Sequence, residues 1–122
     1  MTIVTILLIF GMSYTIVYYS EAVQEEIRAL PATLLARYFC LTDRMEEYGA
    51  NLGYPHTEAF GDGLFELRLK GVEGIARVFY CTLVGKRIVM LHGFVKKSPK
   101  TPPKERRIAE ARMKEIKNAN SR

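Results

Sequence analysis

The stretch LFELRLKGVEGIARVFYCTLVGKRIVMLHGFVKK, residues 64–97, contains three apolar segments separated by two short breaks. The segments Leu64–Lys70, Ile75–Leu83 and Arg87–Val95 are rich in β-branched and aromatic residues, which favours strands. The breaks KGVEG and VGK contain glycine and are short enough for hairpin turns. The stretch therefore predicts a three-stranded antiparallel meander.

The segments on either side of this meander predict one more strand and three helices. Residues 14–20, YTIVYYS, favour a strand, and Ser20 is a suitable N-cap for a helix that ends near Pro31. A second helix is predicted from about Ala32 to Tyr48, because apolar residues recur at spacings of three and four. A last helix, with Thr101 as a candidate cap and prolines in its first turn, is predicted to run to about Asn118.

The predicted order, strand, two helices, three strands and a helix, is that of an α+β domain with helices packed on one curved sheet. Residues 54–63, YPHTEAFGDG, predict a loop because of their proline and glycines. We expect residues 12–119 to form this domain, residues 1–11 to be an apolar N-terminal extension, and residues 120–122 to be a disordered tail.

The composition fits a folded domain without a membrane span. The chain has 122 residues, of which 48% are hydrophobic and 25% are charged. The apolar run at residues 3–11 is shorter than the roughly twenty residues that a membrane span needs, and it lacks the basic start of a signal peptide. We therefore expect a cytoplasmic protein without stable membrane association; membrane attachment through this run is the alternative. Cys40 and Cys81 lack metal-ligand spacing and are expected to be free thiols.

Charge is distributed unevenly along the chain. Residues 1–85 carry a net charge of −4, whereas residues 86–122 carry a net charge of +9. Such a split indicates an anionic partner for the C-terminal part, either nucleic acid or an acidic protein. The split does not choose between them.

The alternation of the predicted strands places charges together on one face of the sheet. Glu66, Arg68 and Lys70 share a face, and they would meet water if the helices cover the other face. In the next strand Arg77 shares a face with apolar residues, where its burial is costly unless it pairs with an acid or faces a cleft. His92 is predicted to share a face with Ile88, Met90 and Phe94 and is more often structural than catalytic in such a place.

Several cations then converge on this sheet. Arg68 and Arg77 lie on successive strands, which are about 4.8 Å apart, and three lysines follow the next strand. A patch of this kind suits a phosphate backbone, with aromatic residues available to stack on unpaired bases. The lysines are Lys96, Lys97 and Lys100, and the aromatic residues are Phe79, Tyr80 and Phe94.

Four motifs in this region are familiar together. They are L-x-E-L-R at 64–68, R-V-F-Y at 77–80, H-G-F-x-K-K at 92–97, and K-T-P at 100–102, followed by a basic helix. With them, about residues 12–117 resemble the toxins of bacterial type II toxin–antitoxin systems, in the phage-derived-protein-like HigB branch of the RelE/HigB superfamily. The resemblance implies a cytoplasmic, metal-independent endoribonuclease without a cofactor. Such an enzyme cleaves mRNA, in many relatives on the translating ribosome, through attack by the RNA 2′-OH, and so inhibits translation and growth. It also implies a helix-turn-helix antitoxin as partner.

The resemblance also implies roles for individual residues. Arg68 and Arg77 would hold the scissile phosphate, and Lys96 or Lys97 would act in acid–base catalysis, with Tyr80 and His92 as alternates for proton transfer. Further RNA contacts are expected from Lys70, Arg87, Phe94 and Lys100. The alternative is a non-catalytic, phage-derived RNA- or phosphate-binding module of the same fold.

Overall fold

A computed structural model describes residues 13–83 and 85–120. The elements in chain order are β1 (Thr15–Tyr18), α1 (Glu21–Arg28), α2 (Ala32–Tyr48), β2 (Thr57–Gly61), β3 (Leu64–Gly71), β4 (Gly74–Leu83), β5 (Arg87–Lys96) and α3 (Pro103–Asn120). The predicted α+β class and the meander of β3, β4 and β5 are confirmed. The predicted extension at residues 1–11 and the end of the predicted tail, residues 121–122, lie outside the described residues.

The strands form one sheet in the order β1-β5-β4-β3-β2, in which β1 pairs with β5 in parallel and the other neighbours are antiparallel. The prediction of a loop over residues 54–63 is wrong for Thr57–Gly61, which form the edge strand β2. Glu58 and Ala59 are exposed, so this strand carries no apolar alternation that its sequence would reveal. It is held instead by backbone pairing to β3, with Thr57 opposite Leu67.

Local sequence signals set the ends of α1 and α2. The Ser20 hydroxyl accepts a hydrogen bond from the Val23 N–H at 3.2 Å, which is the predicted N-cap of α1. Helix α2 begins after Pro31 and ends at Gly49, whose φ of +99° favours glycine. Within the described residues, no helix combines the length and apolar character needed to cross a membrane.

Helices cover both faces of the sheet. Helices α1 and α2 pack on one face, the α1/α2 face, where the main core includes Leu67, Leu69, Val78 and Tyr80. Helix α3 packs on part of the opposite face, the α3 face, through Ala109 and Met113, against a second cluster of apolar side chains from β3, β4 and β5. The charged face, which would meet water if the helices covered only the other face, therefore lies beside α3.

A register shift between β4 and β5 changes which residues of β5 share a face. Phe79 pairs with His92, but the next residue of β4, Tyr80, pairs with Met90, so Leu91 is an extra residue in β5. The side chains of Ile88 and Met90 consequently join the α1/α2 core, whereas His92 and Phe94 share the α3 face. The prediction that His92 shares a face with Ile88 and Met90 is wrong because of this bulge.

Candidate active site on the α3 face

The strand register brings the predicted cations together on the α3 face. The rows read from β3 across β4 to β5 are Glu66–Phe79–His92, Arg68–Arg77–Phe94 and Lys70–Ile75–Lys96. Residues directly opposite in an antiparallel pair have Cα atoms about 4.5–5.5 Å apart. The like charges of Arg68 and Arg77 are therefore adjacent, and such an arrangement requires an anion close by.

Glu66 supplies that anion from inside the protein. The residue is only 2% exposed, and its Oε1 atom lies 3.5 Å from Arg68 Nη1 and 3.5 Å from Arg77 Nε. The Thr101 hydroxyl, just before α3, donates to Glu66 Oε2 at 3.4 Å. Burial raises the pKa of Glu66 above its ordinary value of 4.5, although the charges of Arg77 and Arg68 act in the opposite direction. The result is a carboxylate with increased proton affinity between two guanidinium groups.

Arg77 is buried beside this carboxylate. It is 5% exposed, and its Nη1 atom donates to the carbonyl oxygen of Ala76 at 3.1 Å. Burial lowers the pKa of Arg77, and the charge of Arg68 lowers it further. Its Nε atom makes no hydrogen bond. The arginine therefore fits a role in orienting Glu66, and the plainer sequence interpretation, a salt bridge with a neighbour, describes part of what it does.

Arg68 is the more accessible of the two arginines. Its side chain is half-buried, and its Nη1 atom donates to Glu58 Oε2 at 3.0 Å. The guanidinium carbon lies 5.7 Å from the centroid of the Tyr54 ring. Arg68 is thus held in place on two sides and still reaches open space, as a phosphate-binding arginine must.

An open cleft of about 370 Å³ lies over Glu66, between β2, β3, β4 and the first turn of α3. We call it the Glu66 cleft, and its lining residues are Glu58, Phe60, Glu66, Arg68, Phe79, Thr101, Pro103 and Arg106. Arg106 places its guanidinium carbon 4.6 Å from the centroid of the Phe60 ring, which adds a second cation at the wall. The cleft combines one buried carboxylate with two arginines and two aromatic rings.

The His92 imidazole contacts a carboxylate from each of two helices. Its Nε2 atom is hydrogen-bonded to Glu105 of α3, and its Nδ1 atom lies 3.5 Å from Glu26 Oε1 of α1. Phe79 stands between His92 and Glu66 in the cross-strand row, and the ring of Phe94 stacks on His92 with centroids 5.6 Å apart. These contacts favour the structural role for His92 and explain why its side chain is almost fully buried.

The other predicted cations divide by position. Lys96 lies on the α3 face, close enough to Glu66 for its charge to lower the pKa of that carboxyl slightly. Lys97 and Lys100 are exposed in the segment after β5. Lys70 is exposed near the end of β3. Arg87 begins β5, nine residues before Lys96 and therefore about 30 Å away along the strand, so the structure does not bring it to the site.

Tyr80 lies on the α1/α2 face, away from Arg68 and Arg77. It is fully buried, and its hydroxyl donates to the carbonyl oxygen of Ala50 at 2.5 Å. Burial raises the pKa of Tyr80 well above its ordinary value of 10.0. The prediction that Tyr80 takes part in proton transfer conflicts with this position, because the sheet separates its hydroxyl from the Glu66 cleft.

Two residues of the cleft were missed as functional candidates in the sequence. Glu66 was assigned only to a charged, water-facing side of β3, although it shares a face with Arg77, which was itself judged costly to bury. That shared face was the available signal for an acid partner. Arg106 offered no such signal, because it is one of several cations in the basic segment of residues 86–122. Among the described residues, no three His, Cys, Asp or Glu side chains are grouped to hold a metal ion.

Comparison with known proteins gives one family and a structural likeness. The model of the family described as phage derived protein Gp49-like matches residues 25–114. Among solved structures, a double mutant of the E. coli toxin RelE in the free state superimposes with a TM-score of 0.59. The match covers 86% of this chain and 99% of that chain at 13% sequence identity, which shows a shared fold. Comparison with curated protein sequences gives no match.

Proposed function

The chain belongs to the Gp49-like family of phage-derived proteins, within the RelE/HigB superfamily of toxins, and from this membership we propose that it is an mRNA-cleaving toxin. The proposed reaction is metal-independent endoribonuclease cleavage, in which the RNA 2′-OH attacks the neighbouring phosphate. The proposed outcome is inhibition of translation and growth, with cleavage on the ribosome.

One observation carries the proposal: the buried Glu66 carboxylate lies 3.5 Å from both Arg68 and Arg77 at the floor of an open cleft. Cleavage through the 2′-OH needs a base for that hydroxyl, a cation beside the crowded phosphate, and an acid for the leaving oxygen. A carboxylate with a raised pKa beside a guanidinium supplies the first two requirements at one place. Perturbed carboxyl groups in clefts are also typical of catalytic sites.

In the proposed mechanism, Glu66 takes the proton of the 2′-OH, and the 2′-oxygen forms a bond to phosphorus. Arg68 stabilises the added negative charge on the phosphate oxygens, and Arg77, which does not line the cleft, holds Glu66 in position. The bond from phosphorus to the 5′-oxygen then breaks, leaving a 2′,3′-cyclic phosphate. The 5′-oxygen takes a proton from Lys96, the lysine on the same face; Lys97, just beyond β5, is the second candidate.

The proposed partners follow from the superfamily and from the charge of the chain. A helix-turn-helix antitoxin would hold the toxin inactive, and the basic segment of residues 86–122, with a net charge of +9, would serve both an acidic antitoxin segment and ribosomal RNA. The proposed site of action is the cytoplasm, where mRNA is translated.

A cleavage assay tests this proposal. The purified chain is incubated with a single-stranded RNA and, separately, with mRNA on translating ribosomes, with and without EDTA. We expect cleavage in EDTA, and we expect a 2′-deoxy substitution at the cleaved position to block it. Glu66→Gln should lower the rate by about 10²–10⁴-fold, as loss of a general base does. The matched controls are Glu25→Gln and Arg28→Ala, which change an exposed ion pair on α1. Both variants should cleave RNA at the rate of the parent chain.

The competing function is the non-catalytic binding module, which the burial of Arg77 in an internal ion pair favours. Intact RNA under every condition, from a chain that is folded by circular dichroism, would support that module. Cleavage that is unchanged in Glu66→Gln would leave the ribonuclease in place and remove Glu66 from its mechanism.

A further inference from the structure

A second depression adjoins the Glu66 cleft on the far side of Arg68. It has a volume of about 430 Å³ and lies between α2, the loop before β2, and the ends of β3 and β4. We call it the Tyr54 depression, and its lining residues are Arg37, Tyr54, Pro55, His56, Arg68, Leu69, Lys70, Ile75 and Arg77. Since Arg68 lines both spaces, a ligand held at the Glu66 cleft can extend into this depression without leaving the surface.

The Tyr54 depression is cationic. Arg37 reaches it from α2, Lys70 from the end of β3, and Arg68 and Arg77 from its inner wall. Among the described residues that line it, there is no aspartate or glutamate. Its volume is within the range of small-molecule sites, roughly 300–1,000 Å³, so it suits an anion of about the size of one nucleotide.

An exposed aromatic ring stands at the edge of this depression. Tyr54 is 81% exposed, although the Arg68 guanidinium lies 5.7 Å from its ring centroid, so the ring is available to another planar group. The loop that carries it is fixed to the sheet, because the Arg68 N–H donates to the His56 carbonyl oxygen at 2.9 Å and the Gly53 N–H donates to Thr57 Oγ1 of β2 at 2.9 Å. A large ring held in water on a fixed loop is an arrangement typical of base stacking.

His56 holds Arg37 at the opposite wall. Arg37 Nη2 lies 3.3 Å from His56 Nδ1, and because arginine only donates, the imidazole accepts through this nitrogen. Burial lowers the pKa of His56, and the charges of Arg37 and Arg44 lower it further. The neutral imidazole therefore positions Arg37 toward the depression at neutral pH.

We propose that the Tyr54 depression binds the nucleotide next to the scissile phosphate of a single-stranded RNA, with its base stacked on Tyr54 and its phosphate held by Arg37 and Lys70. This inference rests on the proposed function, since it assigns a neighbouring subsite to the same substrate. An acidic peptide would use the cations but has no group that needs the exposed ring. The combination of ring and cations therefore favours RNA.

Binding to an RNA that cannot be cleaved tests the subsite without relying on catalysis. Fluorescence anisotropy with a 2′-O-methylated, eight-nucleotide single strand measures affinity for the full chain. Tyr54→Ala should weaken binding by about 5- to 150-fold, which is the 1–3 kcal/mol typical of one stacked base. Tyr54→Phe should bind like the parent chain, because stacking needs the ring and not the hydroxyl. The matched control is Tyr48→Ala, which removes a tyrosine that is 69% exposed on α2 and does not line the depression.

The salt dependence of binding tests the phosphate contacts. For single-stranded nucleic acid, log K falls as log salt concentration rises, and the slope of that fall is steeper by about 0.7 for each phosphate neutralised. We expect Lys70→Ala and Arg37→Ala each to reduce the slope by about this amount, and Arg28→Ala, on α1, to leave it unchanged. An abasic oligonucleotide of the same length should retain the slope and lose the effect of Tyr54→Ala.

The outcomes separate this inference from the proposed function. Cleavage of unmodified RNA together with affinity that is insensitive to Tyr54→Ala overturns the subsite and leaves the ribonuclease intact. Binding that depends on Tyr54, without any cleavage, supports a stacked nucleotide in the depression and overturns both the ribonuclease and the position next to a scissile phosphate. If the abasic strand or a polyglutamate peptide of equal charge shows the same loss in Tyr54→Ala, base stacking is wrong and the depression is a site for acidic partners.

Discussion

The two faces of β3 and β4 are built on opposite principles. On the α1/α2 face, Leu67, Leu69 and Val78 are fully buried and apolar, and the hydroxyl of Tyr80 has a hydrogen-bond acceptor in Ala50. On the α3 face, one residue away along the same strands, Glu66 and Arg77 carry charges into almost complete burial. On the α1/α2 face these buried groups find their packing or hydrogen-bond partners within the chain, whereas on the α3 face some buried polar atoms do not.

Unmet hydrogen-bonding capacity on the α3 face makes the difference concrete. Among the described residues, the buried side-chain nitrogens without a hydrogen bond are Arg77 Nε and His92 Nδ1, and both side chains lie on this face. Burial also raises the pKa of Glu66 and lowers the pKa of Arg77, so the attraction between them does not fully offset their desolvation. Charges kept at a cost to stability beside an open cleft indicate a functional site.

The largest expected effect tests that cost directly. Arg77→Leu should destabilise the fold by about 3–5 kcal/mol, because it leaves Glu66 buried with only the half-exposed Arg68 as counter-ion. The double variant Glu66→Leu with Arg77→Leu should regain most of that loss or exceed the parent stability by about 1–4 kcal/mol, while losing cleavage. Urea unfolding of the single and double variants measures both quantities. A double variant that is no more stable than Arg77→Leu would show that the charged pair is not kept at a cost to stability, and the contrast between the two faces would be wrong.

The opposite face should respond in the ordinary way to loss of packing. Leu67→Ala removes a fully buried side chain from the main core and should cost about 2–5 kcal/mol of unfolding free energy. Lys70→Ala, on the same strand but exposed, should change stability by less than about 0.5 kcal/mol. The midpoints of urea unfolding provide the measurement, provided that the m-value is the same in the variants and the parent chain. Equal effects at the two positions would mean that β3 is not packed as the structure shows.

Much of the fold was predictable because its signals are local. The spacing of apolar residues gave α2 its observed bounds, Ala32–Tyr48, and alternation placed Leu67 and Leu69 opposite the charges of β3. The proximity of Arg68 and Arg77 was also predictable from their positions along the chain, because strands linked by a hairpin lie side by side in the sheet.

Other features depend on tertiary contacts that the sequence pattern does not carry. The bulge at Leu91 changes the face of every residue before it in β5, and nothing in the apolar run Ile88–Leu91 reveals an extra residue. Strand β2 is defined by pairing to β3, although Glu58 and Ala59 are exposed. The burial of Glu66 depends on the position of α3 and Thr101 on that face. The alternation of β3 and β4 could therefore indicate an acid partner for Arg77 but not a buried carboxylate in a cleft.

A smaller effect concerns the pH dependence of cleavage. The proposed base must be ionised, so kcat/KM should rise with pH through the pKa of Glu66, which burial raises above 4.5. Below that pKa the rate should fall about tenfold per pH unit. Arg68→Ala removes a charge that lowers the pKa of Glu66, so its residual activity should show the acidic limb at higher pH. A limb at the same pH in both proteins would assign it to another group.

The smallest expected effect concerns the Tyr80 hydroxyl, which lies on the α1/α2 face and should contribute to stability but not to cleavage. Tyr80→Phe removes the hydrogen bond to the Ala50 carbonyl and leaves the ring packed in the core, so it should cost about 1 kcal/mol of stability. Cleavage per folded molecule should not change, because the hydroxyl lies across the sheet from the Glu66 cleft. Thermal unfolding and single-turnover cleavage at a temperature well below the midpoint measure the two effects. If cleavage per folded molecule falls in Tyr80→Phe, the α1/α2 face takes part in the chemistry. The assignment of stability to that face and of catalysis to the α3 face would then be wrong.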